Sequence, residues 1–81
     1  VQFRWNTWNK ENCTKHGCSV AEVESIIENA GRGFPRKAGD GKYLVIGRGQ
    51  GGRFVEVFYL RDPAPTIYPI HAMPISRRRR A

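Results

Sequence analysis

Acidic side chains are scarce in this sequence, with 7 Asp and Glu against 14 Lys and Arg, for a net charge of +7. The few carboxylates sit mainly in one helical segment and in turns, which gives no support to a paired-carboxylate hydrolase. Cysteine is nearly absent. Cys13 and Cys18 are too few and too close for a disulfide framework, and fit a reduced, cytoplasmic protein. With His16 they form a C-x-x-H-x-C run, but three ligands do not complete a tetrahedral zinc site, so no metal is expected. No apolar run approaches the ~20 residues of a membrane span, and the first residues, VQFRWN, lack a signal-peptide core. No serine is placed beside a histidine and a carboxylate, so nothing supports a Ser-His-Asp triad.

What remains is a cationic chain with enough apolar content, 40% of its 81 residues, to fold as one small domain. Residues 1–76 form that domain, and 77–81 are a basic tail. Arg77, Arg78, Arg79 and Arg80 carry more than half of the net charge. They are candidate RNA contacts, with Arg36 and Lys37, because cations bind a phosphate backbone by releasing its counterions. A solubilising end is the other reading of the tail.

Local signals divide the domain. Phe3 to Trp5 alternates as a short strand, and Asn6 is placed to cap a helix through Trp8 to Lys15. Gly17 closes that helix. Trp5 and Trp8 are expected as core anchors, exposure for base stacking being the alternative. Ser19-Val20-Ala21-Glu22 reads as a capping box, with Cys18 and Val23 at its staple positions. Val20, Val23, Ile27 and Ala30 recur at helical spacing with Ile26 beside them, while Glu22, Glu24, Glu28 and Asn29 are expected to face away. Gly31 ends the helix.

Strands follow at Lys42–Gly47, Arg53–Leu60 and Thr66–Ala72, with a further brief one at 34–37. Pro69 lacks a ladder donor, so an open edge or a bulge is expected there. The order β-α-α-β-β-β predicts an α+β fold, a small antiparallel sheet with two helices on one face. The Gly-rich run Gly47 to Arg53 leads into a strand rather than a helix, which makes it a hairpin turn and not a phosphate loop.

The chemistry on offer is cations and imidazoles. RNA cleavage without metal requires a base for the 2′-OH, an acid for the 5′-oxygen and positive charge on the phosphorane. Histidine exchanges protons near neutral pH, so His71 and His16 are the acid–base candidates. Arg48 and Arg53 are candidates for transition-state charge and Lys15 for a supporting role. His16 can equally be a structural cap at the helix corner.

Phe3-x-Trp5-Asn6 with Asn9-Lys10, then Lys15-His16-Gly17, Ser19 with Glu22, Gly47-Arg48, the Phe54–Phe58 strand and an Arg-rich end form one ordered set. Across nearly the whole chain this set resembles the BrnT-type toxins of bacterial type II toxin–antitoxin modules. The resemblance implies a RelE-like ribonuclease fold, RNA as substrate, no small-molecule cofactor and a cognate antitoxin protein as partner. His71 stands where that family has serine, and Met73 where it has arginine. The basic face would be covered by an acidic or amphipathic partner occluding Arg48, Arg53 and His71.

Overall fold

A computed structural model of the chain describes residues 1–63 and 66–76, and its fold is α+β. In chain order the elements are β1 (Gln2–Phe3), α1 (Thr7–Thr14), α2 (Val20–Glu28), β2 (Arg36–Lys37), β3 (Lys42–Arg48), β4 (Phe54–Arg61) and β5 (Thr66–Ile75). The five strands form one sheet in the order β1-β5-β4-β3-β2. The expected antiparallel sheet is corrected to a mixed one, because β1 runs parallel to β5 through Gln2–Thr66 and Phe3–Ile67. A parallel pair needs a long crossover, and both helices and the β2–β4 meander separate these two strands in sequence. Among the described residues no helix is long and apolar enough to cross a membrane.

Helix α1 starts where Asn6 predicts. The Asn6 side chain accepts from the Asn9 N–H at 3.0 Å, and Asn9 Oδ1 accepts from the Asn6 N–H at 2.7 Å. This is a reciprocal capping box built from two asparagines. Asn9 is fully buried and also donates Nδ2 to the carbonyls of Arg4 at 3.0 Å and Pro69 at 2.8 Å, which ties α1 to β5. Helix α2 lays its apolar stripe over β3 and β4. Val23, Ile26 and Ile27 there join Cys13, Cys18, Val45, Val55, Val57, Tyr59 and Ala72 in the core.

Strand alternation sorts the sheet residues. Val55, Val57 and Tyr59 of β4 point into the helix-side core, so Phe54, Glu56, Phe58 and Leu60 line the opposite face. Leu44 and Ile46 of β3 and Met73 of β5 share that face through their pairing with Phe58, Glu56 and Glu56 respectively. Strand β5 carries a register shift at the Phe58/Tyr59 step, where Tyr59 pairs Pro69 but Phe58 pairs His71. Of the open edge or bulge expected at Pro69, this shift is the bulge, with Ile70 as the extra residue.

Two expectations about side chains are corrected. Trp8 is not a core anchor: it is 57% exposed, because Asn9 and Cys13 are the α1 residues that turn inward. Trp5 does pack against the core, donating Nε1 to Glu24 at 2.8 Å. Glu22 does not face away from the core side but is buried, drawn to the Gln50 N–H and to Arg53.

Candidate active site

The bulge decides where His71 points. With unbroken register His71 would oppose Val57 and enter the core; the extra Ile70 moves it opposite Phe58, onto the other face. There its Nε2 lies 3.3 Å from Glu56 Oε2, and its ring centroid 5.7 Å from that of Phe58. Glu56 is 7% exposed, whereas about a third of the His71 side chain is open. In the tautomer that carries its proton on Nε2, His71 donates to Glu56 and presents Nδ1 as an acceptor.

His16 reaches the same place from the α1–α2 corner. Gly17 takes a φ of +91°, a conformation open to glycine, and so turns the chain sharply after α1. The His16 ring then stands edge-on to His71 with centroids 6.1 Å apart. Lys15 caps the helix through its N–H to Glu11 O at 3.0 Å and donates Nζ to Asn12 Oδ1 at 3.2 Å. Both His16 and Lys15 are exposed. Histidines separated by 55 positions thus form one cluster with a nearly buried carboxylate.

The arginines are dispersed. Arg48 is exposed, lies 4.6 Å over the Phe54 ring and donates to Gly52 O at 3.1 Å. Arg36 pairs with Leu44, which puts it on the His71 face at the β2 edge, while its neighbour Lys37, opposite Tyr43, belongs to the helix side. Arg77, Arg78, Arg79 and Arg80 lie outside the described residues.

Arg53 has another engagement. Its Nη2 donates to Glu22 Oε1 at 3.0 Å and to Gly17 O at 2.9 Å, and its Nε to Glu22 Oε2 at 3.3 Å. Glu22 Oε2 also accepts from the Gln50 N–H at 2.7 Å. The expected capping box at Ser19 is thus mainly one-sided. Ser19 Oγ accepts from the Glu22 N–H at 3.0 Å, but the Glu22 carboxylate is drawn to the β3–β4 turn instead of back to Ser19. Burial pushes the Glu22 carboxyl up, yet Arg53, the Gln50 N–H and, least, the Ser19 backbone outweigh it and hold it below the usual range. This latch fastens the start of α2, the α1–α2 corner and the β3–β4 turn together.

Cys13 and Cys18 go into the core, and burial raises the Cys13 thiol to about 12, which removes it from nucleophilic chemistry at neutral pH. Among the described residues no group of three or more His, Cys, Asp or Glu converges as a metal site. Sequence reasoning missed Glu56. Its one signal is a single acid inside the apolar run Phe54–Leu60, which calls for a buried partner. The chain matches no protein-family model, no curated protein and no solved structure.

Proposed function

We propose that this protein is a metal-independent endoribonuclease of RelE-like type, the toxin of a bacterial type II toxin–antitoxin module. The observation that carries the reading is the His71–Glu56 pair with His16 edge-on to it at 6.1 Å. Two imidazoles side by side supply a base and an acid to one phosphate. In the cleavage step His71 Nδ1 takes the 2′-OH proton and the 2′-oxygen attacks phosphorus. The P–O5′ bond breaks as the His16 imidazolium gives its proton to the departing 5′-oxygen. The products are a 2′,3′-cyclic phosphate and a 5′-hydroxyl. Lys15, adjacent to His16, offsets charge on the phosphorane. Arg48 binds backbone phosphate further along the sheet, and Arg53 supports the site through its hold on the His16 corner at Gly17 O.

One catalyst must be neutral and the other protonated, so the rate follows a bell-shaped pH profile. The test is cleavage of a fluorogenic RNA with chelator present. His71→Ala should lower the rate by a factor of ~10²–10⁴ with RNA affinity nearly unchanged. An unaltered rate removes His71 from the chemistry.

A second reading, a catalytically silent module binding RNA or a protein, draws on the sheet face around His71. Leu44, Phe58, Leu60 and Met73 there are only partly buried, an apolar surface of the kind an amphipathic antitoxin covers. A wild-type protein that binds RNA or its antitoxin but never cleaves favours that reading.

A further inference from the structure

Trp8 lies outside the cluster assigned to cleavage, and at 57% exposure it is the one exposed Phe, Trp or Tyr among the described residues. Its position is fixed from several sides. The Asn6–Asn9 box sets the first turn of α1, and Asn9 binds that turn to Pro69 O of β5 at 2.8 Å. The Trp8 ring is nearly parallel to Tyr68, at 13° and 6.4 Å between centroids. Tyr68 is held in turn. Its hydroxyl accepts from Asn6 Nδ2 at 3.2 Å, and the Arg4 guanidinium sits 3.9 Å over its ring. Asp62 fixes that guanidinium with bonds of 2.8 and 3.2 Å. A flat aromatic surface, kept open and held rigid by polar neighbours, is the element that stacks on an unpaired base.

The platform is in line with the histidines. Trp8, Asn12 and Lys15 follow one another at helical spacing along α1, linked by Asn12 Nδ2 to Trp8 O at 2.9 Å and Lys15 Nζ to Asn12 Oδ1 at 3.2 Å. At ~1.5 Å rise per residue the row is about 10 Å long and ends beside His16. Tyr68 and His71 mark the same two ends on β5.

We propose that Trp8 is a base-stacking anchor for single-stranded RNA, holding a nucleotide that flanks the phosphate at His16 and His71. The proposal rests on the RNA reading above and deepens it by naming an unpaired strand as the substrate class. A duplex keeps its bases inside and offers Trp8 nothing to stack on.

The experiment titrates the full chain with a short 2′-O-methyl oligoribonucleotide, which has no free nucleophile, single-stranded or annealed to its complement. Trp8→Ala should weaken single-strand binding roughly ten- to a hundredfold, the loss of one base–aromatic stack. Trp8→Phe should restore most of it. The salt slope and duplex binding should stay as in wild type, since the phosphate contacts are untouched. Because Trp8 is exposed, its melting temperature should also hold. Wild-type single-strand affinity in Trp8→Ala overturns the anchor and leaves the RNA reading standing, also if antitoxin binding is then lost and the surface goes to a protein. Equal losses for single strand and duplex overturn it as well. A wild-type chain that binds neither strand form overturns both readings.

Discussion

Two glutamates are almost equally buried, Glu22 at 4% and Glu56 at 7% exposure, and they do opposite things. Glu22 meets an arginine and a backbone N–H at the start of α2, where the helix dipole also favours negative charge. Arginine keeps its proton and the depressed Glu22 carboxyl stays ionised near neutral pH, so this site has one state there. Glu56 meets a histidine that is about a third open and stands beside a second imidazole. Its partner there is an imidazole, a ring that can either donate or accept a hydrogen bond. A buried carboxylate therefore signals function or bracing only through the partner facing it.

The largest expected effect that sharpens this contrast is on catalysis. Glu56→Gln keeps a hydrogen-bond acceptor for His71 but removes the charge that steadies an imidazolium. RNA cleavage should fall by about tenfold to a hundredfold, less than for His71→Ala, with folding retained. Glu22→Gln should lower the rate of the folded fraction far less, acting only through a looser Arg53 hold on the Gly17 corner. Equal rate losses in the two variants would erase the distinction between the sites.

The next effect is on stability. Arg53→Ala leaves Glu22 buried with only backbone partners, and should lower the midpoint of chemical denaturation. The loss should stay smaller than for a fully buried pair, because Gln50 keeps its bond and Arg53 is itself partly open. The pH sense follows from the depressed Glu22 carboxyl. Its contribution is complete above the ordinary carboxylate range near pH 4, and is lost as acid takes the pH down through the lowered folded value. Melting curves between neutral and acidic pH should show this loss in wild type and much less of it in Glu22→Gln. Parallel pH dependence in both would remove Glu22 as the source.

How much of this was legible depends on the range of each interaction. Helix α2 was readable because its stripe is local, and a break in the ladder at Pro69, as an open edge or a bulge, because Pro69 lacks an N–H wherever it stands. The fate of Glu22 was not, since its partners lie 28 and 31 positions away. At the first turn of α2 a long acid can either return to its cap or reach sideways, and only the β3–β4 turn decides. Trp5 and Trp8 look alike in sequence. What separates them is Asn9, whose amide satisfies two carbonyls and so takes the inward position that an apolar pattern reserves for carbon. Glu56 was hidden because Phe54–Leu60 is apolar on both faces, so alternation could not tell which side its acid took. His16 and His71 were both candidates, but their adjacency depends on the one-residue bulge.

The smallest effect carries a change of sign. Gly49 has φ −100° and ψ −154°, which any residue adopts, so its backbone gives no reason for glycine. The reason is space: a Cβ there would overlap the Glu22 carboxylate. Gly49→Ala should therefore cost about 1–2 kcal/mol, as overpacking does, by pushing Glu22 off Gln50 and Arg53. In a Glu22→Ala background the obstacle is gone. The same substitution should then stabilise by about 0.5 kcal/mol, because alanine narrows the unfolded ensemble more than glycine. A double-mutant cycle measured by urea denaturation reads the difference directly. If Gly49→Ala costs the same with and without Glu22, the carboxylate is not what keeps residue 49 bare, and the latch does not extend into the β3–β4 turn.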